Sequence, residues 1–81
     1  MSETARERVL GAVCEVLYVD EAEFVDGDAT DLRDLGLDSV RFVLLMNRLG
    51  IQKGSALQRR LADTLSVADW ARELEAQHEH A

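Results

Sequence analysis

The sequence predicts an all-α fold: a small four-helix bundle with a long loop between the first two helices and a short third helix. Three observations support this prediction. The 81 residues include no proline and only five glycines, and good helix formers dominate. Apolar residues recur at helical spacing, and capping residues precede several of these segments. A chain of this length builds one hydrophobic core, so we expect a single domain over residues 1–81, ordered from about 5 to 76.

The first helix is predicted to run from about Ala5 to about Tyr18. Thr4 and Glu7 form a T-x-x-E capping box at its start. Cys14 lies beside its apolar face, and as the only cysteine it forms no internal disulfide. No apolar run has the length of a membrane span or the form of a signal peptide. We therefore expect a cytoplasmic protein without a membrane partner. The apolar face comprises Val9, Leu10, Val13, Val16 and Leu17.

The segment from Val19 to Leu37 is predicted to be a long loop. Helical periodicity fails there, Gly27 and Gly36 interrupt it, and aspartates offer side-chain hydrogen bonds that compete with a helix. The leucines at positions 32, 35 and 37 can anchor the loop to the core.

This region also holds the charge of the chain. Residues 20–38 contain eight acidic residues and one base, Arg33, while the other acids and bases balance, so the formal net charge of -7 comes from this stretch. Such a charge repels nucleic acid and anionic lipid and favours basic partners. A solvated loop without any further role is the simpler interpretation.

The second helix is predicted to begin near Ser39 and to end at about Leu49, where Gly50 provides a stop. It has more apolar residues than one stripe needs. If the residues at 42, 45, 46 and 49 fill the core, those at 40, 43 and 44 point elsewhere and form a docking surface. The alternative is a central helix that neighbours bury on both sides.

The third helix is predicted to be short, from about Ser55 to about Ala62. Ser66 and Asp69 then form an S-x-x-D cap for the fourth helix, and the tail QHEHA is expected to fray. In the fourth helix Val67, Trp70, Ala71 and Leu74 are predicted to face inward, and Arg72, Glu73 and Glu75 to face water. Across the helices we expect Val13, Leu45, Leu49 and Trp70 to pack together.

Ser39 stands where the loop meets the second helix. A serine there is most often a helix cap, whose hydroxyl accepts from the free N–H groups of the first turn. Asp38 can supply the same cap, and in that case the Ser39 hydroxyl is free. A phosphate diester on this hydroxyl would sit at the positive end of the helix dipole.

The stretch GLDSVR at residues 36–41 resembles the G-x-D-S-L/V attachment signature of acyl and peptidyl carrier proteins. The order of helices and loop over about residues 5 to 76 is similar to the four-helix domain of that family. The resemblance implies that a phosphopantetheinyl transferase, using coenzyme A and magnesium, attaches 4′-phosphopantetheine to Ser39. Its terminal thiol then carries a thioester. Gly36, Leu37 and Asp38 supply the context of the motif.

The second helix departs from carriers of fatty-acid synthesis, which have several acids there, because it carries Arg41 and Arg48 instead. The run GLDSVR and the stretch LADTLSVADWAREL with Trp70 are most similar to carriers of nonribosomal peptide pathways, particularly aryl-carrier domains. The resemblance implies a non-catalytic carrier in such a secondary-metabolite pathway, with aryl and aminoacyl cargo both open. From Met1 and the end soon after the fourth helix we expect a free-standing monomer.

The resemblance also implies the partners: the transferase, an acyl-activating (adenylation) enzyme, and condensation, tailoring or release enzymes. Each must approach Ser39, so we expect docking on the second helix, with apolar contacts at the centre and arginines at the edge. The predicted partner-binding residues are Val40, Arg41, Val43, Leu44, Arg48 and, from the third helix, Leu57.

Other kinds of site match less well. The run DGDATDLRDLGLD suggests an EF-hand calcium loop. Counted from Asp26, however, Asp31 stands where the turn glycine belongs and Leu37 where the bidentate glutamate belongs. A serine hydrolase needs a G-x-S-x-G elbow and a positioned histidine, whereas His78 and His80 lie in the tail. We therefore expect no metal site and no catalytic residue. A noncarrier helical interaction domain, with Ser39 phosphorylated or unmodified, remains the alternative.

Overall fold

The structure, a computed structural model, describes residues 4–79, with side chains described as far as Ala76. Four α-helices follow one another: α1 (Ala5–Leu17), α2 (Ser39–Leu49), α3 (Ala56–Asp63) and α4 (Val67–Glu79). Helix α1 packs against α4 and α2, and α3 packs against α4. These residues contain no strand. The predicted all-α fold with a short third helix is confirmed.

Helix α1 begins at the predicted capping box. The Glu7 N–H donates to Thr4 Oγ1 at 3.1 Å, and the Thr4 N–H donates to Glu7 Oε1 at 3.4 Å. The helix ends at Leu17, one residue before the predicted end, because Tyr18 adopts the left-handed conformation with φ 56° and ψ 48°. Tyr18 is the only residue other than glycine with a positive φ among residues 4–79.

The segment between α1 and α2 is more ordered than the predicted loop. It contains three short 3₁₀ turns, at Glu21–Glu23, Gly27–Ala29 and Leu32–Leu35. Leu32 is fully buried, and its N–H donates to the Leu65 carbonyl at 2.8 Å. The predicted leucine anchors are confirmed, since Leu35 and Leu37 also pack against the core. The correction is that local hydrogen bonds form three 3₁₀ turns within the predicted loop.

Polar contacts fix the same segment to α1 and to itself. Arg6 forms a bidentate ion pair with Asp28, with N···O distances of 2.6 and 3.1 Å. Thr30 is buried, and its hydroxyl donates to the Gly27 carbonyl at 2.8 Å and accepts from the Asp26 N–H at 2.9 Å. Part of the acidic stretch therefore has a structural role, beyond the solvated loop of the simpler interpretation.

The core joins α1, α2 and α4 around Trp70, which is fully buried. The indole N–H of Trp70 donates to the Leu61 carbonyl at 2.9 Å and also contacts the Thr64 carbonyl, so the polar edge of the ring is satisfied. Phe42 lies at the rim of this core, in a T-shaped arrangement with the Trp70 ring at a centroid distance of 5.9 Å. The expected packing of Val13, Leu45, Leu49 and Trp70 in one cluster is confirmed.

The last two helices differ from the predictions in detail. Helix α3 begins at Ala56, because Ser55 is its N-cap and accepts from the Gln58 N–H at 3.1 Å. Glu73 was predicted to face water but is half-buried, and it lies 3.7 Å from Arg60 of α3. Helix α4 includes the first three residues of the tail QHEHA, and residues 80 and 81 lie outside the described part. No helix within residues 4–79 combines the length and the apolar character needed to cross a bilayer.

Candidate functional site

Asp38 caps α2, and this leaves Ser39 as the first residue of the helix. Asp38 is extended, with φ -135° and ψ -177°, and its carboxylate accepts from the Arg41 N–H at 2.8 Å. The second carboxylate oxygen accepts from Arg41 Nη1 at 2.9 Å. Ser39 is exposed. Asp38 therefore makes the capping hydrogen bond that the Ser39 hydroxyl could otherwise make.

The charge at this helix start is compensated within the protein. The hydrogen bond from the Arg41 N–H, together with the charge of its guanidinium, lowers the pKa of Asp38. Asp38 is thus ionised at neutral pH, and Arg41 offsets its negative charge. An anion at Ser39 would meet the positive end of the α2 dipole next to a carboxylate that is already paired.

The backbone before Ser39 turns sharply at Gly36. Gly36 has φ 102°, a conformation that strains residues with a side chain, and it ends the 3₁₀ turn Leu32–Leu35. Its N–H donates to the Arg33 carbonyl at 3.1 Å, and the Leu37 N–H donates to the Leu32 carbonyl at 3.1 Å. These bonds direct the chain into α2. The positive φ at Gly36 explains why a glycine stands at this position of the motif.

A groove lies on the side of α2 that faces α3, and we call it the α3-side groove. Its volume is about 400 Å³, and Ser39 is part of its wall. Arg33 and Asp38 contribute the charged side chains of its lining. The apolar lining residues are Leu37, Phe42, Val43, Ala62 and Leu65.

A second groove, the α1-side groove, lies between α2 and the end of α1, with a volume of about 610 Å³. Its apolar surface includes Val40, Leu44 and Tyr18, of which 68%, 50% and 87% are exposed. Arg48 lines the same groove and forms an ion pair with Glu15 of α1. The remaining lining residues are Val16, Arg41 and Asn47.

The residues predicted to bind partners divide between the two grooves. Val40, Arg41, Leu44 and Arg48 line the α1-side groove, whereas Val43 lines the α3-side groove together with Ser39. Leu57 lines neither groove and is half-buried against the core. Both arginines already have an acidic partner, Asp38 or Glu15.

The chain shares its sequence pattern with proteins of known class. The family profile described as "Phosphopantetheine attachment site" matches residues 7–74. Acyl carrier protein Rv0100 of Mycobacterium tuberculosis is 66% identical over 71 residues, which are 88% of this chain and 91% of the relative. The chain belongs to the acyl carrier protein family. Its cofactor is covalently bound 4′-phosphopantetheine.

Further carriers agree with this assignment. Acyl carrier protein MmaB of Mycobacterium marinum is 62% identical over 74 residues, which are 91% of this chain and 89% of the relative. An acyl carrier protein of Mycobacterium bovis is 66% identical over 71 residues, with 88% and 91% of the two chains covered. No solved structure matches this carrier significantly.

The start of α2 fits the cofactor of the family. The Ser39 side chain is exposed, and Asp38 has taken over the helix cap. Ser39 lines a largely apolar groove, and Arg33 supplies a cation to its wall. Attachment of a phosphodiester needs an accessible hydroxyl, and the exposed Ser39 meets this condition.

The single cysteine of this carrier is a poor nucleophile. Burial, followed by the charges of Glu21, Asp20 and Glu23, raises the pKa of the Cys14 thiol. Because the thiolate is the reactive form, Cys14 stays largely protonated at neutral pH.

Sequence reasoning missed two residues of these grooves. Arg33 was noticed only as the one base in the acidic stretch, and that isolation was the available signal for its place in the groove that Ser39 also lines. Tyr18 was predicted to end α1, and no pattern indicated that its ring lies exposed beside Val40 and Leu44. Its exposure follows from the left-handed backbone, which turns the chain out of the helix.

Proposed function

We propose that this chain is a non-catalytic carrier that holds an acyl group on 4′-phosphopantetheine attached to Ser39. The observation that supports this site is the exposed serine at the first position of a helix capped by Asp38. The other described serines have structural tasks: Ser55 caps α3, and the buried Ser66 accepts from the Asp69 N–H at 3.2 Å. Ser2 lies outside the described residues.

The carrier supplies the accepting hydroxyl, and the transferase supplies the catalysis. The Ser39 oxygen forms a bond to phosphorus while the pyrophosphate bond of coenzyme A breaks, and adenosine 3′,5′-bisphosphate leaves. The hydroxyl proton passes to the transferase. Asp38 is an unsuitable base because its pKa is lowered and both of its oxygens accept hydrogen bonds from Arg41. When bound, the cofactor supplies a thiol that carries the acyl group as a thioester.

For the partners we propose a docking surface on the exposed side of α2. Val40, Val43 and Leu44 supply the apolar contacts, with Arg41 and Arg48 at the edge, and each has an exposed side chain on the helix that begins at Ser39. The half-buried Leu57 contributes only at the margin. The enzymes that use this surface are the transferase, an acyl-activating (adenylation) enzyme, and condensation, tailoring or release enzymes.

The pathway we propose is nonribosomal peptide synthesis or a related secondary metabolism, with an aryl or aminoacyl cargo. The observation in its favour is that Arg41 and Arg48 stand on α2, which has no acid between Ser39 and Leu49. We place the carrier in the cytoplasm, because its lone Cys14 suits a reducing compartment.

Mass spectrometry tests the attachment site. Incubation with a broad-specificity phosphopantetheinyl transferase, coenzyme A and magnesium should add one phosphopantetheine to the wild type and none to Ser39→Ala. Ser55→Ala is the matched control and should still be modified. Modification that persists in Ser39→Ala would reject the site. A wild type that gains phosphate alone in cells would favour the regulated interaction domain.

A further inference from the structure

We propose that Arg33 binds the phosphodiester of the attached arm and directs the arm into the α3-side groove. This inference rests on the proposed attachment at Ser39. It makes Arg33 a positioning residue for the cofactor, and it assigns the two sides of α2 to different tasks.

The lining of the α3-side groove matches the chemistry of the arm. A phosphopantetheine arm begins with a phosphate, and the next part of it is a carbon with two methyl groups. The α3-side groove offers both kinds of partner, since Arg33 lines it together with Ser39, and Phe42, Val43 and Leu65 add apolar side chains. Its volume of about 400 Å³ lies in the range of small-molecule sites. The groove thus holds a cation for the phosphate of the arm and apolar side chains for its methyl groups.

The Arg33 guanidinium is bound to Asp31 through only part of its donors. Its guanidinium donates to Asp31 through Nε at 3.2 and 3.3 Å and through Nη2 at 2.8 Å. Among the bonds between described residues, none uses Nη1. The fork to Asp31 orients the guanidinium and leaves one edge for a further acceptor. A phosphate oxygen is the acceptor that such an edge matches.

A weak contact between Arg33 and the phosphate is enough to hold the tethered arm. Arg33 is exposed, and an ion pair at a protein surface contributes little to stability. The arm, however, is already tethered at Ser39 in the wall of the same groove, so its local concentration is high and a weak contact is enough to populate the bound position.

The other side of α2 lacks these features. Ser39 does not line the α1-side groove, whereas Ser39 and Arg33 both line the α3-side groove. An arm on the α3 side leaves Tyr18, Val40 and Leu44 uncovered for a partner. A partner can therefore hold the carrier on one side while the arm leaves its groove on the other.

Nuclear magnetic resonance of the holo-protein tests the proposal. The protein is first modified with coenzyme A that carries labelled pantetheine methyl groups, and mass spectrometry establishes the added mass. We expect nuclear Overhauser effects between those methyl groups and the side chains of Phe42, Val43 and Leu65. The phosphorus resonance should also differ from that of the urea-denatured holo-protein.

The variants separate Arg33 from unspecific charge. In Arg33→Ala the Overhauser effects should be lost and the phosphorus shift should approach the denatured value, while Arg33→Lys, which keeps the charge without the fork, should lie between. Arg59→Ala removes an exposed arginine of α3 outside the groove and should match the wild type. Folding of each variant is checked by circular dichroism.

The outcomes separate a failure of the proposed function from a failure of the inference about Arg33. A wild type that gains no mass contradicts the proposed function. A modified wild type without Overhauser effects to the groove overturns the present inference alone. Effects that are equally strong in wild type, Arg33→Ala and Arg33→Lys would leave the arm in the groove but reject the role of Arg33.

Discussion

At position 18, glycine should give a more stable protein than alanine. Tyr18 has φ 56° and ψ 48°, and the left-handed region costs a residue with a Cβ about 1–2 kcal/mol. Glycine avoids this cost but loses about 0.5–1 kcal/mol more chain entropy on folding than alanine does. The Tyr18→Ala and Tyr18→Gly variants lose the same ring contacts, so these cancel. The difference leaves glycine ahead by about 0.5–1 kcal/mol.

Urea unfolding followed by circular dichroism measures this difference, and thermal unfolding should show it as about 2–8 °C in Tm. Val25 is the matched control, because its side chain is 83% exposed and its φ is not positive. There alanine should be the more stable residue by about 0.5–1 kcal/mol. If alanine also wins at position 18, the left-handed backbone does not impose the cost assigned to it here, and the reasoning is refuted.

Three further changes test the core, the cap and the docking surface. Leu45→Ala removes a fully buried side chain and should lower the free energy of unfolding by about 2–5 kcal/mol, and a urea-measured loss below about 0.5 kcal/mol would contradict the core assignment. Asp38 has a lowered pKa in the fold, so its stabilisation is complete above its ordinary pKa and is lost as the pH falls through the lowered value. The gap in unfolding free energy between wild type and Asp38→Asn should therefore shrink on acidification, and a gap independent of pH would exclude the charge of Asp38 as its cause. Val40→Asp and Val43→Asp should slow loading by the acyl-activating enzyme without changing the circular dichroism, and wild-type rates in both would move the docking surface elsewhere.

The sequence was most informative where one residue decides a local structure. Thr4 with Glu7 and Gly50 marked helix ends correctly, because a cap or a left-handed glycine acts over a few residues. The apolar spacing of Leu45 and Leu49 likewise predicted their burial. The motif around Ser39 indicated the family through a short pattern of the same local kind.

What the sequence left open depends on how the helices are set against one another. The pairing of Arg48 with Glu15 and the partial burial of Glu73 join residues of different helices, and no local pattern encodes them. The same holds for the division of Val40 and Val43 between two grooves, which follows from the rotation of α2 relative to α1 and α3. Helical periodicity shows that residues are surplus to the core, but it does not show which neighbour they adjoin.

The position of Phe42 gives the protein a built-in optical reporter. Its ring lines the α3-side groove together with Ser39 and makes a T-shaped contact with the Trp70 ring, at a centroid distance of 5.9 Å. Trp70 is the only tryptophan of the chain, so the indole emission comes from a single known place. A displacement of the Phe42 ring alters the surroundings of that fluorophore. Occupancy of the groove can thus be followed in solution by intrinsic fluorescence, without a dye and on the timescale of mixing.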